Sequence, residues 1–109
     1  LIVNNIIKRA YKENNPNIVE YLEYKVDIDR RIVLEKEKEI KLTTLEFDLL
    51  LLLLNNKNKS FSREEILNAI WGDDYFGSDR VVDDLIRRLR KKMKKLNVNT
   101  VYGYGYRLS

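Results

Sequence analysis

The chain has 109 residues, enough for one domain whose core needs no disulfide or metal to fold. It contains neither Cys nor His, which excludes a disulfide framework and removes the most common metal ligand and general base. The longest apolar run, Leu49 to Leu54, is far shorter than the roughly 20 residues of a membrane span, and residues 1–7 lack a signal-peptide pattern. We therefore expect a cytoplasmic protein that is no enzyme, needs no cofactor and has no membrane partner.

The positive charge is concentrated in one short segment. The whole chain carries a net charge of +4, whereas residues 79–96 alone carry eight basic and three acidic side chains. Residues 43–78, which precede this segment, are acidic overall. Such a local excess of positive charge indicates a polyanionic partner more strongly than the total does.

The N-terminal part of the chain predicts a scaffold. Residues 1–13 follow helical spacing only in part, so a short amphipathic helix and a frayed terminus both stay open. From Ile18 to Leu42, apolar residues alternate with charged ones, which predicts a small antiparallel sheet with one solvated face.

Two capped helices are predicted next. Thr43 with Glu46, and Ser62 with Glu65, have the spacing of a capping box, in which each side chain satisfies the other residue's backbone N–H. The first helix is expected to run to Leu54 and the second to about Ile70.

The third predicted helix spans residues 79–96, with Ser78 or Asp79 as its cap. One apolar stripe repeats at helical spacing, and the opposite face is mostly basic. This basic face consists of Arg80, Asp84, Arg87, Lys91 and Lys95, with Arg88 and Lys94 on its flanks. Residues 98–108, which alternate aromatic and β-branched side chains around Gly103 and Gly105, predict a β-hairpin.

A basic helix face has two interpretations. A major groove admits one α-helix, and Arg can form two hydrogen bonds with guanine, so the face suits DNA. A solvated face laced by ion pairs such as Asp83–Arg87 and Asp84–Arg88 is the alternative. The order of short helix, turn, basic helix and hairpin favours a helix-turn-helix with a wing.

Four blocks of the sequence resemble one family. LTTLEFDLLLLLL, SREEILNAIWG, DRVVDDLIRRLRKKM and TVYGYGYRL are similar, in order, to the OmpR/PhoB-type C-terminal effector domain of bacterial two-component response regulators. The resemblance covers about residues 18–109 and implies an α+β fold, a winged helix-turn-helix with an N-terminal antiparallel sheet, three helices and a C-terminal hairpin wing. It implies a transcription regulator that binds promoter DNA through its third helix in the major groove and its wing, residues 98–108, at the minor groove.

The resemblance also assigns roles along the chain. The residues expected to contact DNA are Arg80, Arg87, Arg88, Arg90 and Lys91 of the helix and Thr100 and Tyr102 of the wing. Trp71 matches an aromatic of the core, and residues 72–78 match a loop that touches RNA polymerase in some members. Members commonly bind direct repeats as tandem homodimers. Residues 1–15 are expected to be a linker that carries the tail of a missing receiver domain, and residues 16–109 the DNA-binding domain.

Three positions depart from the family's pattern. Leu85 stands where His is frequent, Tyr102 where the wing often has Arg, and Asp84 among the DNA-facing cations, where it pairs with Arg80 or Arg88 or accepts from a cytosine amino group. They motivate a rival function, a winged-helix protein-interaction module with weak or no DNA binding. A second rival is a metal-dependent nuclease using Asp73-Asp74 or Asp83-Asp84. The second pair is poorly placed to share a metal ion, because adjacent helical residues diverge by about 100°.

Overall fold

The computed structural model describes residues 17–109. The predicted linker, residues 1–15, lies outside the described residues. The described chain falls into two compact units, residues 17–41 and 42–109. Across residues 17–109, no helix has the length and apolar character that a membrane crossing requires.

The first unit is a four-stranded antiparallel meander. Its strands are β1 (Ile18–Tyr21), β2 (Tyr24–Asp27), β3 (Ile32–Glu35) and β4 (Lys38–Ile40), hydrogen-bonded in that order. Val26 and Val33 are paired across β2 and β3 and are fully buried, whereas Lys25, one residue before Val26, is exposed. This period of two confirms the sheet that the sequence predicts, with one buried face.

The second unit holds three helices: α1 (Thr44–Leu54), α2 (Arg63–Trp71) and α3 (Arg80–Lys92). Both predicted capping boxes are present: Thr43 and Ser62 accept the N3 backbone N–H, and Glu46 and Glu65 accept the N-cap N–H in return. The three helices pack on one another through their apolar faces. The buried side chains of this core include Phe47, Leu49, Leu50, Leu53, Ile66, Val82, Leu85, Ile86 and Leu89.

A second sheet of three short strands completes this unit. It contains β5 (Ser60–Ser62), β6 (Val98–Val101) and β7 (Gly105–Leu108), in the order β5-β7-β6. The hairpin β6–β7 confirms the predicted wing. The strand β5 is not predicted by the sequence, because its three residues SFS are too few to show an alternating pattern: Ser60 and Phe61 fall in a predicted connection, and Ser62 is a predicted helix cap.

Gly105 explains how β5 joins the hairpin. A Cβ atom at this position would lie 1.9 Å from the carbonyl oxygen of Phe61 in β5, so the two backbones approach too closely for any side chain. Glycine in a strand marks such a close approach of two backbones.

The predicted end of the third helix is wrong. The helix ends at Lys92 rather than at residue 96, since Met93 leaves helical geometry with φ −118° and ψ 79°. Lys94 and Lys95 form a turn, and Met93 and Leu96 are nevertheless buried. Their buried positions extend the apolar stripe into the turn, so the periodicity alone could not locate the helix end.

Candidate nucleic-acid interface

Four of the eight charged side chains of helix α3 lie on a ridge opposite its buried stripe. The stripe consists of Val82, Leu85, Ile86 and Leu89, all with no more than 1% exposure. At 100° per residue, the ridge residues all lie within about 30° of the direction opposite that stripe. This ridge, hereafter the crest, consists of Arg80, Asp84, Arg87 and Lys91. Among the crest side chains, Arg87 is 68% exposed and Asp84 45%.

The N-terminus of α3 is capped by the residue before its N-cap position. Asp79 occupies that position, but its side chain makes no capping hydrogen bond. Ser78 Oγ instead accepts the backbone N–H of Arg80 at 3.1 Å. The sequence allows two caps, and the structure uses Ser78. Arg80, at the start of the crest, is exposed.

Asp84 binds two arginines at once. Its Oδ1 accepts a hydrogen bond from Arg87 Nη2, and its Oδ2 lies 3.0 Å from Arg88 Nη2. The i,i+4 spacing in the sequence predicts the Asp84–Arg88 pair, and the structure adds the Asp84–Arg87 pair. The hydrogen bond from Arg87, together with the charge of both guanidinium groups, holds the pKa of Asp84 below its usual range. Asp84 is therefore an ionised carboxylate between two of the predicted DNA contacts.

Asp83 faces the wing instead of the crest. Its Oδ1 accepts from Arg63 Nε at 2.8 Å and from the Tyr106 hydroxyl at 2.6 Å. Burial, then the hydrogen bond to Asp83, raises the pKa of Tyr106, so the phenol keeps its proton and continues to donate. One carboxylate thus joins α2, α3 and β7, and the expected pair with Arg87 does not form.

Arg90 and Thr100, two of the predicted DNA contacts, are bound to each other. Arg90 Nη2 donates to Thr100 Oγ1 at 3.1 Å and to the carbonyl oxygen of Val98 at 2.8 Å. The Arg90 guanidinium also lies over the ring of Tyr106, with 5.5 Å between guanidinium carbon and ring centroid. These contacts fix the hairpin against the flank of α3.

The opposite flank of α3 is bound to α1 by an ion pair that the sequence does not predict. Lys92 Nζ lies 2.7 Å from Glu46 Oε1, and Glu46 is 1% exposed. Burial alone would raise the pKa of Glu46, but the hydrogen bonds from Lys92 and from the Thr43 backbone outweigh burial and lower this pKa. The capping box suggested a local role for Glu46, and no signal in the sequence pairs it with a residue 46 positions away.

The tip of the wing is aromatic and carries no cation. Residues 102–105 read Tyr-Gly-Tyr-Gly, and Tyr102 is 91% exposed. Gly103 has φ +76°, the left-handed conformation that lets the hairpin turn here. Tyr104 is 48% exposed, and its backbone oxygen accepts the N–H of Arg63 at the start of α2. The tip therefore lies beside the start of α2 and exposes the Tyr102 side chain.

The loop before α3 exposes another aromatic side chain. Phe76 is 93% exposed, and Asp73 and Asp74 are exposed beside it. Trp71, expected in the core, is half-buried, and its ring centroid lies 6.0 Å from that of Tyr75. Nowhere in residues 17–109 do three potential metal-ligating side chains come together, so neither predicted aspartate pair has a third carboxylate beside it.

The chain is similar in sequence to known proteins. Residues 37–108 match the family described as "Transcriptional regulatory protein, C terminal". The chain is 49% identical over 110 residues to the transcriptional regulatory protein CssR of Bacillus subtilis, a match that covers 97% of this chain and 49% of CssR. It spans about half the length or less of the curated relatives it matches.

Solved structures share the fold. The crystal structure of the DNA-binding domain of B. subtilis CssR aligns with a TM-score of 0.77 and 56% identity, covering 79% of this chain and 99% of that domain. The DNA-binding domain of Klebsiella pneumoniae RstA, crystallised in complex with the RstA box, aligns with a TM-score of 0.75 and 29% identity. This alignment covers 84% of this chain and 96% of the RstA chain. The family resemblance and the winged-helix fold stated from the sequence are confirmed.

Proposed function

Because this chain belongs to the family of C-terminal domains of transcriptional regulatory proteins, of the OmpR/PhoB type, we propose that it binds promoter DNA with sequence specificity. It regulates transcription through that binding, in the cytoplasm and without catalysing a reaction. The rival function of a protein-interaction module without DNA affinity has less support, because a similar domain was crystallised with its DNA box.

The crest of α3 is the observation that carries this proposal. A B-DNA major groove is about 12 Å wide and admits one helix with its side chains directed at base edges and phosphates. Three crest residues, Arg80, Arg87 and Lys91, are exposed cations, and the helix that bears them is fixed on both flanks. Arg90 and Asp83 bind one flank to the wing, and Lys92 binds the other to α1. A rigid helix positions contacts more accurately than a mobile loop does.

The contacts within the domain distinguish Arg90 and Thr100 from the other predicted DNA-binding residues. We assign Arg87 and Arg88 to base edges, and Arg80 and Lys91 to phosphates. Arg90 and Thr100 serve the interface by holding the wing, since their polar groups are bound to each other. Tyr102 stands at the hairpin tip and approaches the minor groove.

The full-length protein adds further partners. Because the chain spans about half of CssR, we propose that a receiver domain precedes residues 1–15 and that this segment links the two domains. Two such proteins bind neighbouring repeats as a tandem homodimer. The loop of residues 72–78, with Phe76 and two exposed aspartates, contacts RNA polymerase.

Selection from a random duplex library, followed by fluorescence anisotropy over a salt series, tests the proposal. We expect Lys91→Ala to weaken binding to all duplexes alike and to reduce the slope of log K against log salt by about 0.9, as the loss of one phosphate contact does. Arg88→Ala instead changes the base preference. Lys38→Ala, which removes an exposed lysine of the N-terminal sheet, is the matched control and leaves both quantities unchanged.

Two results would contradict the proposal. Equal affinity for selected and random duplexes at physiological salt would exclude specific binding. The absence of any salt-dependent retention of pooled genomic DNA would favour the protein-interaction module instead.

A further inference from the structure

Asp84 differs from the other acidic residue in the middle of α3. Asp83 is committed to the fold through Arg63 and Tyr106, with donor–acceptor distances of 2.8 and 2.6 Å. Asp84 is 45% exposed and has only crest and flank arginines of its own helix as ion-pair partners within residues 17–109. Its carboxylate therefore lies where α3 would meet DNA.

In the free protein, Asp84 forms ion pairs with Arg87 and Arg88, two arginines that we assign to DNA contacts. Each of its two oxygens faces one guanidinium, of Arg87 and of Arg88. A phosphate that approaches either arginine must compete with this carboxylate, and the two anions repel each other. Asp84 thus lowers the affinity for any DNA that offers phosphates alone.

The major groove offers Asp84 few compensating contacts. An ionised carboxylate accepts hydrogen bonds and donates none. Guanine and thymine present acceptors in this groove, and adenine presents an acceptor, N7, beside its amino group. Cytosine presents its N4 amino group alone, and the paired guanine presents O6 and N7, which suit an arginine. A carboxylate flanked by arginines therefore complements both bases of a C·G pair.

We propose that Asp84 is a specificity-determining residue, which accepts a hydrogen bond from a cytosine amino group in each half-site while a neighbouring arginine donates to guanine. Without that cytosine, the carboxylate stays paired with Arg87 and Arg88 and opposes binding. Asp84 thus widens the ratio of specific to non-specific affinity. This inference rests on the proposed DNA binding.

The variants Asp84→Asn and Asp84→Ala test it, with duplexes selected by the unaltered chain. In the unaltered chain, replacing the cytosine opposite Asp84 weakens binding about tenfold, a typical effect of losing one base contact. In Asp84→Ala, the same replacement leaves the affinity nearly unchanged. In Asp84→Asn, the preferred base changes to adenine, because an amide pairs with adenine N6 and N7.

Binding to a random duplex provides a second readout. Asp84→Ala binds it more tightly, with a salt slope steeper by about 0.9 for each arginine released to a phosphate. Glu39→Gln, at an exposed position of β4, makes the same change in net charge outside α3 and is the matched control. We expect this control to behave like the unaltered chain, and thermal melting verifies that each variant is folded.

The outcomes separate this inference from the proposed function. If the unaltered chain selects a defined sequence and both Asp84 variants select the same one with unchanged random-duplex affinity, the role of Asp84 is wrong and DNA binding stands. If the unaltered chain shows no salt-dependent DNA binding, the proposed function fails.

Discussion

Replacing Lys92 with Met removes an ammonium group from a carboxylate that is almost fully buried. Glu46 Oε1 accepts from Lys92 Nζ at 2.7 Å and from the Thr43 backbone N–H at 2.9 Å. Met has a similar length and helix propensity, so it keeps the packing of the side-chain stem. What changes is that the Glu46 carboxylate keeps one of these two donors and has no opposite charge in contact.

The expected loss in the free energy of unfolding follows from how deeply Lys92 and Glu46 are buried. Removing one member of a fully buried ion pair costs about 3–5 kcal/mol. The side chain of Lys92 is 37% exposed, so water partly replaces the lost ammonium, and we expect the free energy of unfolding to fall by about 2 kcal/mol. For a domain of this size, that loss lowers the melting temperature by roughly 10 °C.

The loss of stability caused by Lys92→Met decreases as the pH falls. In the unaltered chain the pKa of Glu46 lies below its ordinary value of 4.5, so the pair stabilises the fold above that pH and ceases to do so as pH falls through the lowered pKa. In Lys92→Met, burial is opposed only by the Thr43 backbone hydrogen bond and the charge of Arg88, so the pKa of Glu46 rises. The difference in stability between the two proteins is therefore greatest near neutral pH and shrinks below about pH 5.

Urea denaturation of both proteins from pH 4 to pH 7.5 measures this difference. Lys91→Met is the matched control, because it removes an exposed lysine from the neighbouring position and should change stability by less than about 0.5 kcal/mol. The double variant Glu46→Gln/Lys92→Met should recover part of the loss, since the amide oxygen still accepts the Thr43 N–H without burying a charge. Equal losses for Lys92→Met and Lys91→Met at every pH would refute the reasoning.

Three further predictions concern the wing. Gly105→Ala places a Cβ atom 1.9 Å from the Phe61 carbonyl oxygen, so β5 must separate from β7, and we expect urea denaturation to show a loss of at least about 2 kcal/mol; an unchanged midpoint would contradict the close approach. Tyr106→Phe removes the hydroxyl that donates to Asp83 and should cost about 1 kcal/mol near neutral pH. Because the folded protein raises the pKa of Tyr106, this contribution is present below the ordinary tyrosine pKa and is lost as pH rises through the raised value; ultraviolet titration should show a late-titrating phenol that is missing from the variant. Arg90→Gln removes the guanidinium group that donates to both hairpin acceptors. Relative to the unaltered chain, its amide hydrogen exchange should accelerate more in β6 than in α1, and equal protection of β6 in the two proteins would mean that Arg90 does not hold the wing.

Local patterns in the sequence are sufficient to predict the first sheet and the three helices, apart from the end of α3. The capping boxes at Thr43 and Ser62 depend on residues three positions apart, so they are visible without any tertiary information. The alternation around Val26 likewise predicts a half-buried strand. The end of α3 was misplaced because Leu96 is buried by tertiary packing beyond the helix.

The amino-acid sequence by itself indicated a helix over residues 79–96, of which residues 80–92 are helical in the structure, with an apolar stripe, a basic face and a hairpin after it. It could not decide which charged side chains of that helix remain available to a partner. Asp83 and Arg90 are bound to the wing, Lys92 to Glu46, and Asp84 to Arg87 and Arg88. Three of these four sets of contacts join residues that are distant along the chain, and pairing across such distances is set by how the elements pack. The sequence therefore determines the net charge of this helix face, whereas the tertiary structure decides which of its charged side chains are already bound within the domain.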